Sequence, residues 1–395
     1  MKSYVNRANA GVNLPALRGH NAALVLDLLR AAGDGGISRL ELAERTGLTP
    51  QAVSKITARL RAEGLAADAG RRASTGGKPR TVLRLVPDAG HAVGLHLDRD
   101  ELTAVLVDLT GAVVAERRAP LAFGAGADAV VAAAAGEVRA LLAGHGAVSG
   151  VGVALPGPLD HAEGVLHRVT GFPAWDGFPL GDALAERLAL PVVVDKDTNA
   201  AALGLALAGA AESFAYLHLG TGLGAGLVLG GALYRGERTG AGEFGHQVLQ
   251  LDGPACACGD RGCVEALCLA AVAGGALDEA ARVLGTAAGN LVGLLDIDRV
   301  LLGGRTVFAA EDLFVRGVGA VVDERVRRGG GGARVPVALA PGGERGVAEG
   351  AAQLVLAPVF GRADVAIPAH RGLSGSPGLS GSPGLSRSSG VREIR

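Results

Sequence analysis

The sequence predicts an α/β protein in which an amino-terminal winged helix-turn-helix precedes a larger body of two lobes. The chain has 395 residues, enough for two or three domains. Its charge is uneven, since the first 85 residues hold 14 basic and 6 acidic side chains and the remainder holds 24 and 33. Strand-like and helix-like segments follow Ala92, and the same opening order of strands occurs twice. A basic module joined to an acidic body is typical of a protein whose first part binds a polyanion.

Composition favours a globular protein with a sizeable core, because 49% of the residues are hydrophobic and 19% are charged. The sequence contains no run of eighteen apolar residues and no charged-then-apolar leader. We therefore expect a soluble cytoplasmic protein that has no membrane partner.

Two short helices and a tight turn are predicted in the stretch "ISRLELAERTGLTPQAVSKITARLRAEGLAA". Ser38 and Glu41 have the spacing of a capping box for the first helix, and Gly47 suits the left-handed residue that ends it. Thr49 is placed to cap the second helix, with Pro50 at its first position. An earlier segment, "NAALVLDLLRAAG", would complete a three-helix core.

The second helix of this pair has two different faces. Val53, Ile56 and Leu60 lie on one face and are expected to pack in the core. Polar and basic side chains are what base edges and phosphates require, so this helix is expected to enter the major groove of double-stranded operator DNA. Its expected DNA contacts are Thr49, Gln51, Ser54, Lys55 and Arg59.

A β-hairpin wing is predicted in "GRRASTGGKPRTVLRLVP", which has basic residues, a Gly-Gly turn and alternating apolar positions. The residues expected to contact phosphates or the minor groove are Arg71, Arg72, Lys78 and Arg80. The alternative is an ordinary three-helix cap with a solvated, charged hairpin.

The body is predicted to contain two β-rich α/β lobes with a cleft between them. The carboxy-terminal tail is rich in Gly, Ser and Pro and is expected to be disordered. The predicted domains are the winged helix-turn-helix 1–86, a first lobe 87–205 that a helix at about 344–360 rejoins, a second lobe 206–343, and a tail 365–395.

The loop "LGTGLGAG" lies between two predicted strands of the second lobe. Its glycines would let backbone N–H groups approach a phosphate or another anion. No helix follows directly, so the loop is not a dinucleotide fingerprint. A tight hairpin without a ligand explains the glycines equally well.

Three of the four cysteines, Cys256, Cys258 and Cys263, fall within eight residues, and His246 lies ten residues upstream of the first. A disulfide is disfavoured in the cytoplasm, and the one-residue spacer of Cys256 and Cys258 would strain it. Three thiolates and an imidazole form a Cys₃His set typical of one structural Zn²⁺ per chain, with no position left open to activate water. The alternative is a group of buried thiols, and Cys268 is expected to be a core residue.

The stretch "LGTGLGAGLVLGGALYRGERTGAGEFGHQVLQLDGPACACGDRGCVEA" resembles the signature of the ROK family (repressor, open reading frame, kinase). The segments "GVALPGPLDHAEGVL", "DKDTNAAALG" and "RVLLGG" occur in the family's order, and the resemblance covers residues from about 20 to 360. It implies an actin/hexokinase-like (ribonuclease H-like) body. The amino-terminal module places the chain beside the regulators that are similar to xylose and N-acetylglucosamine repressors.

The resemblance also implies roles for individual residues. His246, Cys256, Cys258 and Cys263 match zinc ligands, and Gly220, Thr221 and Gly222 match a phosphate loop. Asp197 matches the general base of the kinases, although here it is expected only to accept a hydrogen bond. The residues implied in effector binding are Lys196, Asp197, Glu243, His246 and Glu265.

Two positions depart from the family's pattern. The kinases open the first lobe with an Asp-x-Gly-Gly-Thr type of loop, whereas this chain has "HLDRDEL", in which Asp98, Arg99 and Asp100 replace the small residues. Acidic side chains beside a triphosphate oppose ATP, so little or no kinase activity is expected. Lys196 stands where sugar-binding members have asparagine. It would suit an acidic or phosphorylated sugar, or it would pair with Asp197 and close the pocket.

These observations predict a DNA-binding transcriptional regulator, a repressor of carbohydrate-related genes that responds to a small carbohydrate between the lobes. We expect a homodimer or homotetramer, since two DNA-binding modules read two half-sites. A sugar kinase and a regulator without sugar sensing are the alternatives.

Overall fold

The computed structural model describes residues 14–72, 80–146, 148–169, 171–330 and 334–362. In these ranges no helix has the length and apolar character needed to span a bilayer. Lys78 and the tail 365–395 lie outside the described residues, and so does the side chain of Arg72.

The amino-terminal module is a winged helix-turn-helix, as predicted. Its strands are antiparallel in the order β1-β3-β2, so β2 and β3 form the wing. Its elements are α1 (Leu14–Ala32), β1 (Ile37–Ser38), α2 (Arg39–Thr46), α3 (Pro50–Ala62), β2 (Ala66–Arg72) and β3 (Arg80–Leu85).

Local sequence signals set the helix ends in this module. The Ser38 hydroxyl accepts a hydrogen bond from Glu41 N at 3.3 Å, and a Glu41 carboxylate oxygen accepts one from Ser38 N at 2.8 Å. Gly47 ends α2 with a left-handed φ of 69°. The Thr49 hydroxyl accepts a hydrogen bond from Ala52 N at 3.2 Å and caps α3. The predicted capping box, glycine end and threonine cap are therefore confirmed.

The first lobe is built on a five-stranded sheet in the order β10-β7-β4-β5-β6. Strands β10, β7 and β4 are parallel, and β4, β5 and β6 are antiparallel. Every residue of β4 is buried, as its apolar run predicts for a strand covered on both faces. The lobe contains β4 (His91–Leu97), β5 (Glu101–Asp108), β6 (Val113–Pro120), α4 (Ala127–Leu142), β7 (Val148–Leu155), β8 (Leu159–Asp160), β9 (Val165–Leu166), α5 (Leu180–Leu188), β10 (Val192–Lys196) and α6 (Asp197–Leu207).

The second lobe repeats this plan in the strand order β13-β12-β11-β14-β15. Its first three strands are antiparallel and its last two extend the sheet in parallel, which confirms the predicted duplication. It contains β11 (Phe214–Leu219), β12 (Leu223–Leu229), β13 (Ala232–Leu233), α7 (Val264–Ala273), α8 (Leu277–Leu295), β14 (Arg299–Gly303), α9 (Arg305–Phe308), α10 (Glu311–Arg328) and β15 (Val337–Leu339).

The last described helix, α11 (Gly346–Val359), lies directly on the first-lobe sheet and on α6. Glycines allow this close approach. A Cβ on Gly94 would lie 1.8 Å from Ala348 O, and one on Gly350 would lie 2.1 Å from Ala200 O. The helix therefore joins the first lobe to the helix that begins at Asp197. The domain limits given above remain a proposed division.

The winged helix-turn-helix and the first lobe share one hydrophobic core. Leu29 and Leu85 of the amino-terminal module cluster with Val107 and with Leu356 and Phe360. The sequence analysis treated the module as separate, because the partner residues lie far apart along the chain. The DNA-binding module consequently rests on the carboxy-terminal helix.

Candidate functional site

A cluster of one histidine and three cysteines lies in the second lobe. One potential ligand atom from each of His246, Cys256, Cys258 and Cys263 lies within 4.8 Å of all the others. The Cys256 sulfur lies 3.7 Å from Nδ1 of His246, and the Cys258 and Cys263 sulfurs are 3.7 Å apart. The sequence-predicted ligand set is therefore brought together.

A tight hairpin carries the cysteines. Ala255 and Arg261 form an antiparallel bridge, and Cys256 N donates a hydrogen bond to Asp260 O at 2.8 Å. Gly259 and Gly262 have φ values of 106° and 64°, as the predicted turn requires. A Cβ on Gly262 would lie 1.6 Å from a backbone oxygen, so only glycine fits there.

The donor set fits a tetrahedral zinc ion. A Zn–S bond of about 2.3 Å in a tetrahedron separates neighbouring ligand atoms by roughly 3.7 Å. The observed spacings match this value and are much longer than a disulfide bond of about 2.05 Å. Burial raises the pKa of the Cys263 thiol to about 12, so a divalent cation would supply the charge that favours its thiolate.

The five predicted effector residues line one cleft between the lobes. Its volume is only about 70 Å³, far below the 300–1,000 Å³ that is typical of small-molecule pockets. One carboxylate oxygen of Glu265 accepts a hydrogen bond from Leu223 N at 2.7 Å, which ties the helix α7 to the start of β12. The residues that line the cleft include Lys196, Asp197, Glu243, His246 and Glu265.

Lys196 closes this cleft. Its side chain is only 4% exposed, and Nζ donates hydrogen bonds to Ala241 O and to Oε1 of Glu243, the latter at 3.0 Å. The aliphatic chain passes close to Gly157, where a Cβ would lie 2.7 Å from Cδ of Lys196. The expected pairing with Asp197 is wrong, because β10 directs the ammonium group across the cleft to the second lobe.

The altered first loop forms a second connection between the lobes. Arg305, at the start of α9, donates hydrogen bonds to Asp98 at 2.6 Å and to Asp100 at 2.9 Å. The hydroxyl of Thr221 donates to the other Asp98 oxygen at 2.7 Å. The "LGTG" segment is thus a tight β11–β12 hairpin whose tip holds a carboxylate of the protein itself. We call the group of Asp98, Asp100, Thr221 and Arg305 the inter-lobe latch.

The latch keeps Asp98 ionised over a wide pH range. Burial alone would raise its pKa, but the nearby His96 and the hydrogen bonds from Thr221 and Arg305 outweigh burial and hold the pKa at about 2. The same carboxylates raise the pKa of Arg305. The latch is therefore charged at any pH near neutrality.

Three buried groups around the cleft were not identified from the sequence. His96 is fully enclosed, its burial lowers its pKa, and its Nε2 lacks a hydrogen-bond partner among the described residues. Asp195 is 1% exposed and accepts a hydrogen bond from Nε of Arg235 at 2.7 Å, joining β10 to the second lobe. The signal was present in "DKDTN", but Arg235 lies 40 positions away.

The predicted nucleic-acid face is exposed. Val53 and Leu60 are buried and Ile56 is partly buried, which confirms the predicted inner face of α3. In the wing, Arg71 and Arg80 are exposed on neighbouring strands. The exposed side chains on α3 and at its cap are Thr49, Gln51, Ser54, Lys55 and Arg59.

Comparison with known proteins supports the same division of the chain. The family model described as the ROK family matches residues 92–271, and the model described as winged helix-turn-helix DNA-binding matches residues 24–66. The xylose repressor of Bacillus subtilis (strain 168) is 29% identical over 235 residues, 58% of this chain and 61% of that repressor. The chain thus spans about three fifths of the length of this curated relative.

Two solved structures share the fold. A ROK family transcriptional regulator, a homolog of the Escherichia coli MLC protein, aligns with a TM-score of 0.72 at 22% identity and covers 88% of this chain and 98% of that one. The ROK hexokinase from Thermus thermophilus aligns with a TM-score of 0.56 at 30% identity, over 66% of this chain and 96% of that one. Together with the matching family model, these alignments show that the chain belongs to the ROK family and carries an amino-terminal winged helix-turn-helix.

Proposed function

We propose that this protein is a transcriptional repressor that binds operator DNA through α3 and the wing. The exposed polar and basic face of α3 carries this proposal, because its side chains match the chemistry of base edges and phosphates. The relatives named as repressors support it. A dimer or tetramer would present two such modules to two half-sites.

The DNA-binding proposal is tested by mobility shift on DNA upstream of the protein's own gene. Replacing Lys55 and Arg59 together by Ala should weaken binding at least tenfold and make the salt dependence shallower by about two contacts, each worth roughly 0.9 in log–log slope. Arg316→Ala is the matched control, since Arg316 is exposed on α10 in the second lobe. Absence of sequence-specific, salt-sensitive retardation by the unaltered protein would sink the proposal.

The effector of this repressor is proposed to be a small carbohydrate in the cleft. Carboxylates accept hydrogen bonds from vicinal hydroxyls, and Asp197, Glu243 and Glu265 converge there. Since the cleft holds only about 70 Å³, binding requires that Lys196 leave Glu243 and that the lobes separate. The ligand would therefore favour an open state over the closed one described above.

A structural Zn²⁺ is proposed at His246, Cys256, Cys258 and Cys263. Four protein ligands leave no open coordination position, so the ion would hold the loop and supply no reaction. Glu243 and Glu265 lie within three residues of a ligand in the sequence. Zinc would thereby fix the positions of two effector carboxylates.

A sugar kinase is the second candidate function. It is favoured by Asp197 in the cleft and by the likeness to a ROK hexokinase. Against it, Asp98 occupies the hydroxyl of Thr221 and adds negative charge where a triphosphate would lie. A coupled ATP-consumption assay over a sugar panel decides between them. Turnover that Asp197→Asn abolishes would establish the kinase.

A repressor that senses no sugar is the third candidate, and the closed cleft favours it. Calorimetric titration with glucose, xylose, N-acetylglucosamine and their phosphates separates it from the first. Heat that Glu243→Gln removes supports the carbohydrate effector in the cleft. No heat from any of these ligands supports a repressor without sugar sensing.

A further inference from the structure

A cavity lies at the junction of the winged helix-turn-helix and the body, and it is not the cleft between the lobes. Its volume is about 320 Å³. Arg30 of α1 forms one wall, Thr110 and Gly111 of the β5–β6 turn form another, and Gln353 of α11 lies beside them. The carboxy-terminal half of α6 contributes apolar side chains, including Leu205 and Leu207. We call it the junction cavity.

The guanidinium group of Arg30 lies in this cavity without a carboxylate partner. Among the described residues, no Asp or Glu oxygen lies within 4.0 Å of it. Its contacts are one long hydrogen bond from Nη2 to Oε1 of Gln353 at 3.3 Å and the ring of Phe360, whose centroid is 4.9 Å away. Arg30 is thus a half-buried cation with weak compensation.

The nearby carboxylates are committed to other groups. Asp27 forms an ion pair with Arg362 at 2.6 Å. Asp108 accepts hydrogen bonds from the backbone and hydroxyl of Thr110 and from Ala112 N. Glu349, which also lines the cavity, is held by Arg345 at 3.2 Å. None of these three is free to neutralise Arg30.

A cation that has lost part of its hydration needs either a counter-charge or a shifted pKa. Burial lowers the pKa of Arg30, and Arg362 adds to this effect. An arginine nevertheless stays charged at neutral pH. The missing counter-charge is therefore a feature that an anion entering the cavity would supply, through a charge-assisted pair of hydrogen bonds.

We propose that the junction cavity binds a small organic anion, a carboxylate or phosphate ester on a carbon skeleton of about hexose size, with Arg30 as its anion-binding residue. The volume of 320 Å³ lies within the range of small-molecule sites. Gln353 and Thr110 offer further polar groups, and the apolar side of α6 covers the skeleton. The ligand would lie between α1 and α11 and hold the DNA-binding module in one orientation, an effect that rests on the proposed function.

The site is tested by calorimetric titration of the full chain with glucose 6-phosphate, gluconate and glucose. We expect at least one of the two anions to bind and neutral glucose not to bind in the junction cavity. Arg30→Met keeps the length and the packing on Phe360 but removes the charge, and it should weaken anion binding at least about tenfold. Ala208→Phe should do the same by filling the cavity, because Ala208 lines it.

Two controls keep this result separate from the effector cleft. Arg316→Met, at an exposed position on α10, should leave anion binding unchanged. Glu243→Gln should remove binding in the cleft but not binding that depends on Arg30. The proposal is overturned if neither anion binds, or if both anions bind equally well to Arg30→Met and Ala208→Phe proteins that melt as the unaltered protein does. DNA retardation is measured in parallel, so loss of DNA binding alone counts against the proposed function and not against this site.

Discussion

At the scale of single residues, Lys196 determines whether the cleft is open or closed. A buried ammonium group is tolerated only when it is paired, and Glu243 on the opposite lobe provides the partner. The carboxylate of Glu243 is 43% exposed, so water can replace the lysine at little cost. The pair is therefore a reversible contact and not a permanent one.

Lys196→Asn should give the cleft a measurable affinity for neutral hexoses. The shorter amide frees the volume that the lysine chain fills and leaves Glu243 available to sugar hydroxyls. We expect hexose binding to tighten at least about tenfold, measured by calorimetry with glucose. Lys196→Met is the matched control, because it removes the charge but still fills the cleft. Equal affinities for the two variants would show that volume is not the cause.

The inter-lobe latch should make stability depend on acid pH through Asp98. The pKa of Asp98 is lowered from 3.8 to about 2, so its stabilisation is complete above pH 4 and is lost as pH falls towards 2. This shift corresponds to about 2 kcal/mol of unfolding free energy.

Urea denaturation of the Asp98→Asn protein at pH 6, 4 and 3 measures the contribution. The variant should be less stable than the unaltered protein at pH 6, and this difference should shrink at pH 3. Asp312→Asn, at a position 93% exposed, should show no such change. A difference that stays constant between pH 6 and 3 would contradict the assigned pKa.

The same residues show what sequence alone could predict at this scale. Asp98, Lys196 and Asp197 were recognised because they lie inside motifs whose order along the chain is diagnostic. Their partners were not, since Glu243 lies 47 positions from Lys196 and Arg305 lies 207 positions from Asp98. Pairings of this kind depend on how the two lobes close, which no local pattern records.

At the scale of elements, the cysteine hairpin is small and has few apolar contacts of its own. Leu251 at its tip is 85% exposed, so burial cannot hold the loop. Cross-linking by a metal is the remaining source of rigidity, and it fixes the start of α7 through Cys263.

Cys258→Ser should release zinc and abolish ligand binding in the cleft. Three ligands bind Zn²⁺ far less tightly than four, and the loop that carries Glu243 and His246 would lose its fixed geometry. Metal content by emission spectroscopy and calorimetry with the cleft ligand measure the two effects. Cys268→Ser is the matched control and should keep one zinc per chain, because Cys268 donates to Ala280 O and lies outside the cluster. Full ligand binding without zinc would mean that the ion is only a scaffold.

Helix ends were predictable at this scale, whereas the placement of α11 was not. Caps such as those at Ser38 and Thr49 depend on atoms within four residues, so the sequence displays them directly. The seat of α11 depends on Gly94 and Gly350, which meet across the fold. Glycines with that role look the same in a sequence as glycines in loops.

At the scale of the whole molecule, the cleft and the DNA-binding module are connected through packed elements. Helix α6 begins at Asp197 in the cleft, α11 packs along α6, and Phe360 at the end of α11 packs in the core of the winged module. Any rearrangement of the first lobe would carry the module with it if this shared core is rigid. That condition is testable without knowing the effector.

Phe360→Ala should uncouple the module from the body. The side chain is 1% exposed, and truncating a buried Phe costs about 3–5 kcal/mol. Hydrogen exchange should therefore speed up by at least about a hundredfold in α1 and β3, where protection now depends on the shared core. Phe314→Ala, at an equally buried site in the second-lobe core, is the matched control and should leave exchange in α1 unchanged. Unchanged protection in α1 of the Phe360→Ala protein would show that the module is stable by itself. A signal from the cleft would then need a route to DNA other than the α6–α11 pair.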